Sequence, residues 1–205
     1  SGSGATETER RDWLAQGFRD ADSRVRFEAA LASGAWRSKN ATADLLTLLR
    51  ENADQDPFLR HAASLALARI GDLKALVEAA SKPSRGVRMG ACLALRRMER
   101  PEVARFLSDA DPAIVLEAAR AIHDVPIPGA LESLATFRPK PSGGGQDWDV
   151  PLWRRVVQSK VRLGGSPQAQ SLVAIAINQT LPSSIRTAAL EGLGSWAQVP
   201  ARDPI

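Results

Sequence analysis

The chain has 205 residues, 44% of them hydrophobic and 24% charged, with one cysteine and a formal net charge of +4. That balance is globular rather than disordered, and a lone cysteine excludes an intramolecular disulfide, covalent c-type haem and a cysteine-built zinc site. No apolar run reaches the length needed to span a membrane, and so mild a basic excess permits an acidic partner without requiring one.

Aromatic residues are only 5% and tyrosine is absent. Alanine and leucine carry the apolar content, and both are strong helix formers. Ser1-Gly2-Ser3-Gly4 reads as a linker end or expression scar and is set outside the fold, so residues 1–4 are expected to belong to no element and the chain to be a piece of something larger.

Taken in order, the chain repeats itself. A turn is followed by a hydrophobic residue and arginine, then by small residues at helical spacing. The instances are Val25-Arg26, Leu59-Arg60, Val87-Arg88, Ile114-Val115, Trp153-Arg154 and Ile185-Arg186. They recur about every 30 residues, which suits an antiparallel helix pair with short turns. Three residues after the arginine position stand Ala29, Ala63, Ala91, Ala118, Val157 and Ala189. Six after it stand Ala32, Ala66, Ala94, Ala121, Lys160 and Gly192. Such spacing puts both sets near one helical face, where small side chains allow close helix contact. The fifth block, with Val157 and Lys160, fits worst.

The start signals agree. Asp56-Pro57 and Asp111-Pro112 read as an N-cap followed by proline in the first turn, and Asp22 stands at the matching place. Gly71 reads as a helix stop. The first helices of the pairs are predicted near 6–18, 41–51, 73–80, 101–108, 128–136 and 167–178. Their apolar faces are Leu45, Leu46, Leu48 and Leu49 in the second, Val103, Phe106 and Leu107 in the fourth, and Leu172, Val173, Ile175 and Ile177 in the sixth. No segment alternates in the manner of a strand. The expected fold is all-α, a right-handed α-α superhelix of about six helix pairs over residues 5–198. A Pro/Gly-rich loop insertion is expected at 138–150 and a tail at 199–205.

The block DPFLRHAASLALARIG (56–71) resembles a HEAT repeat. DPAIVLEAARAIHDVPIPGALESLA (111–135) and RTAALEGLGSWAQVPARD (186–203) resemble the HEAT-repeat segment of planctomycete-type haem-binding, membrane-bound dehydrogenase-like proteins. Those proteins combine a β-propeller, a HEAT segment and a cytochrome c domain with CxxCH. The resemblance implies a piece of an exported, periplasmic redox protein. This chain has neither propeller nor CxxCH, so no haem or dehydrogenase role passes to any of its residues.

The arginine series Arg26, Arg60, Arg88, Arg154 and Arg186 admits two readings. It is expected to be a structural ladder bonded to turn carboxylates or carbonyls, with Asp22, Asp56 and Asp111 as nearby partners; the rival is a track for nucleic-acid phosphates. Asp147, Trp148, Asp149 and Trp153 form a candidate interaction loop. HEAT-like DNA glycosylases use Trp, Asp and Arg for chemistry, which makes a nucleic-acid-binding protein of that kind the alternative function. His61 and His123 lie on different helices with no ligand partners at metal spacing. Met89, Met98 and Cys92 read as core, and no nucleophile elbow or phosphate loop occurs. No catalytic, cofactor or metal residue is therefore expected. The leading function is a non-enzymatic, monomeric scaffold that binds a protein partner or other domains of a parent chain.

Overall fold

A computed structural model describes residues 5–139 and 149–196. Among them all regular structure is helical, and the chain divides into two compact units, 1–100 and 101–205.

The first unit holds three helix pairs. The first is α1 (Glu7–Gly17) with α2 (Ser23–Ala35). The second is α3 (Thr42–Asn52) with α4 (Pro57–Ile70), and the third is α5 (Leu73–Ala79) with α6 (Arg85–Arg97). Local chemistry sets each start. Thr6 and Glu9 form a reciprocal capping box at α1. Asp22, Asp56 and Ser84 accept from backbone N–H groups at the starts of α2, α4 and α6. Gly71 ends α4 at φ +75°, a conformation that costs glycine no Cβ clash.

The second helices stack on one another, α2 on α4 and α4 on α6, while α3 packs against α4 and α6. Ala30, Ala62, Ala63, Ala66, Ala91 and Ala94 are almost completely buried there, as is the Cys92 thiol. A Cβ on Gly34 would lie 2.7 Å from the Ala66 Cα, and one on Gly86 only 2.4 Å from the Leu49 carbonyl oxygen. Small residues thus let backbones meet. Leu45, Leu48, Leu49, Leu67, Leu76 and Leu95 fill the remaining core, each contributing roughly 1.5–3 kcal/mol relative to exposure.

The second unit is less regular. A 3-10 stretch, Pro101–Ser108, precedes α7 (Pro112–Asp124). A 3-10 turn, Pro128–Ala130, leads into the short α8 (Leu131–Thr136), which pairs with α9 (Asp149–Leu163). Last come α10 (Ser166–Ile177) and α11 (Ser183–Gly194). Asp111 caps α7, with Pro112 in its first turn. α9 packs on α7, α8, α10 and α11. Val157, Val161, Leu172, Ile175, Ile185 and Ala189 form the core between the last helices, with Trp153 packed against it.

Two expectations need correcting. Residues 101–108 are helical but 3-10, not α. With three residues per turn, Val103 and Phe106 fall on one line, and both are buried. And Val173 and Ile177 do not share the buried face of α10. They stand one turn apart on its far side, 47% and 72% exposed, while Leu172, Ile175 and Ala176 face the core. Lys160, the misfit of the repeat pattern, is nonetheless buried, at 5% exposure.

Candidate interaction surface

The arginines show how much of the polar chemistry is architectural. Arg26 Nη1 donates to the carbonyls of Asp20 (2.7 Å) and Ala21 (2.9 Å). Arg88 Nη1 repeats the geometry with Lys82 (3.0 Å) and Pro83 (2.9 Å). Each arginine ties the first turn of its helix to the turn that precedes it. Arg60 reaches back the same distance in sequence, but to the carboxylate of Asp54. Asp54 also accepts from Arg85, so one carboxylate, 7% exposed, clamps successive repeats. Ala53 and Asp54 have φ of +45° and +65°, and this left-handed turn aims the carboxylate at both arginines. Asp22 and Asp56 direct their side chains to backbone N–H groups as caps, and Asp111 caps α7.

The series does not continue in that form. Arg154 is exposed and makes no hydrogen bond or ion pair among the described residues. The Nε of Arg186 is buried without a hydrogen-bond partner. On α9 the work passes to Arg155, which grips Asp124 through Nε (3.0 Å) and Nη2 (2.7 Å) and donates to the Pro151 carbonyl. Arg162 donates to the His123 carbonyl at 2.8 Å, and buried Lys160 donates to the carbonyl of Ala135 near the end of α8. Burial would raise the Asp124 carboxyl, but its bonds from Arg155 and His123 hold it below its ordinary value. Burial, with the charge of Arg138 beside it, pushes the Lys160 ammonium below its ordinary value.

Sequence reasoning missed the ties through Asp54, Asp124 and Lys160. The faint signal was spacing: Asp20, Asp54 and Lys82 each stand six residues before an arginine of the series. Only Asp54 answers with its side chain, while the other two answer with the backbone, so residue type carried no clue.

Of the interaction loop, Asp147 and Trp148 lie outside the described residues. Asp149 opens α9, and Trp153 is half-buried at the anchor position. His61 is exposed and accepts from Arg97 at 3.3 Å. His123 is buried and donates through Nδ1 to Asp124. No group of three or more His, Cys, Asp or Glu among the described residues is arranged to hold a metal.

Among the described residues, three surface features bear on binding. In the first pair, a cleft of about 410 Å³ is lined by Arg10, Arg11, Trp36, Arg37 and Lys39, with the Arg10 guanidinium 5.8 Å from the Trp36 ring centre. Beside it in sequence, a groove of about 390 Å³ runs between the starts of α2 and α4, lined by Phe27, Phe58 and Leu59. Phe58 is 73% exposed and Val25 42%. In the second unit, a cavity of about 540 Å³ is lined by Phe137, Arg138, Trp153, Lys160, Gln170 and Asn178, among others.

Comparison with known proteins places part of this chain. Residues 11–96 match the family model of HEAT repeats, so the chain carries a HEAT-repeat segment. No curated protein matches it in sequence. Among solved structures it is similar to a designed armadillo repeat protein, YIII(Dq)4CqI, at 15% identity and a TM-score of 0.45, over 89% of this chain and 98% of that one. No helix among the described residues is long and apolar enough to cross a membrane.

Proposed function

We propose that the chain is a non-enzymatic helical-repeat scaffold that binds a partner protein or neighbouring domains of its own parent chain. The observation that carries this is Phe58. Repeat proteins bury their apolar residues on their neighbours, yet this phenylalanine stands 73% exposed at the edge of an apolar groove. Exposed aromatic side chains beside such grooves mark protein contacts. The arginine ladder supports the same reading, because three of its five members hold turns rather than face a ligand. Substituting Phe58→Asp should abolish capture of the partner domains without lowering the melting temperature. Undiminished capture would refute the reading.

We extend the proposal, on the resemblance of residues 111–135 and 186–203, to a parent that is an exported, periplasmic, haem-containing dehydrogenase-like protein in which this segment positions the other domains. The complete reading frame tests it, since a propeller on one side and a CxxCH domain on the other are required. The rival reading, a DNA-glycosylase-like nucleic-acid binder, draws on the basic excess, the arginine series and the Trp- and Asp-bearing loop. A gel shift on duplex DNA at low salt decides against it if no retardation occurs.

A further inference from the structure

The described wall of the cavity in the second unit carries cations and no carboxylate. Lys160 lines it, 5% exposed. An ammonium carries three N–H donors, and among the described residues this one uses a single donor, on the Ala135 carbonyl. Arg138 lines the same cavity and makes no hydrogen bond or ion pair among the described residues. No Asp or Glu is among the cavity's described lining residues. Buried charges in proteins are paired, because an ion removed from water needs a compensating partner. Among the described residues, buried Lys160 and exposed Arg138 therefore face the cavity with no carboxylate between them, a wall complementary to an anion.

The rest of the wall narrows the chemistry. Phe137 and Trp153 offer apolar surface, and Gln170 and Asn178 add amide groups to the lining. The volume of about 540 Å³ lies in the range of ligand sites. We infer that this cavity takes a carboxylate carried next to an apolar side chain, supplied by an acidic segment of a partner protein. The carboxylate pairs with Lys160 and Arg138, and the apolar neighbour lies against Trp153 and Phe137. The inference rests on the scaffold reading and names the chemistry of one contact within it. The burial that depresses the Lys160 ammonium is relieved when the anion enters, because an opposite charge favours the protonated form.

The test uses the full chain and four probes. These are a capped Phe-Glu-Leu peptide, its Phe-Gln-Leu counterpart, phenylacetate and phenylacetamide, followed by titration calorimetry and by the Trp153 indole NMR signal. The Glu peptide should bind at least tenfold more tightly than the Gln peptide, and phenylacetate more tightly than phenylacetamide. Arg138→Gln, an exposed position whose change leaves the core intact, should weaken the Glu peptide by tenfold or more, and Lys160→Met should do the same. Equal binding of charged and neutral probes, or binding indifferent to Arg138→Gln, overturns the site. Phenylacetate binding more tightly than the Glu peptide overturns the partner segment as its source. Partner capture that survives Arg138→Gln but is lost with Phe58→Asp sinks this site and leaves the scaffold reading standing.

Discussion

The two units solve the same packing problem with different materials. Residues 1–100 hold 17 Lys and Arg against 13 Asp and Glu, and residues 101–205 hold 10 against 10, so the whole basic excess belongs to the first unit. That unit is built of α-helices joined by alanine and glycine contacts, with arginines on their own turns. The second has a 3-10 stretch of eight residues in place of one α-helix and substitutes Arg155 and Lys160 for the ladder. The HEAT match ends within the first unit. Regular repeats thus leave a recognisable pattern, whereas the irregular unit keeps the helix pairs while its tying residues change identity.

The largest expected effects come from the close contacts of the first unit. Ala63→Arg puts a long charged chain at a fully buried position and should cost about 4 kcal/mol or more. Gly86→Ala should cost about 2 kcal/mol, because the new Cβ meets a backbone oxygen that cannot step aside. Gly192→Ala in the second unit meets side chains rather than backbone, Val161 Cγ2 at 2.7 Å and Leu172 Cδ1 at 3.9 Å, and should cost about half as much. Urea unfolding of the three variants checks the order. Equal costs for the two glycines would erase the contrast.

The inter-repeat clamps come next. Asp54→Ala leaves Arg60 and Arg85 without their shared carboxylate and should cost about 2 kcal/mol. Asp124→Asn, at a carboxylate 34% exposed, should cost about 1 kcal/mol. Asp124 adds a pH signature. Its folded carboxyl titrates below the ordinary value of 3.8, so the unfolded chain takes up the proton first. The stability it contributes is complete above that value and is lost as pH falls through the folded one. Wild type should lose more stability than Asp124→Asn between pH 5 and pH 3, and parallel curves would remove Asp124 from the account.

The smallest effect concerns Lys160. Its ammonium is depressed from 10.5, so between the folded value and 10.5 the unfolded chain binds more protons and stability rises with pH. Lys160→Met removes that rise and, by removing a buried charge, should change stability at neutral pH by less than about 1 kcal/mol.

How much was legible follows from the same contrast. The second helices start where Asp and Pro signals put them and carry the Ala spacing, because both act locally, and the six first helices, one of them 3-10, fill the intervals between. The buried Ala63, Ala91 and Ala118 were readable for that reason. Val173 and Ile177 were misassigned because an apolar helix with leucine and isoleucine on every side does not announce which face meets a neighbour. Lys160 looked like a break in the repeat. Its ammonium reaches a carbonyl of α8, a tertiary fact no local pattern encodes. The three surface features join residues far apart in sequence, and only the fold brings them together.

The central claim is that repeat arginines build the scaffold while exposed apolar residues bind. Titration calorimetry of the full chain against the separately expressed parent domains tests it, with Arg26→Ala and Phe58→Asp compared side by side. Arg26→Ala should lower the melting temperature by a few degrees with binding intact, and Phe58→Asp should abolish binding with the melting temperature unchanged. Loss of binding in Arg26→Ala at an unchanged melting temperature, with Phe58→Asp still bound, would contradict it.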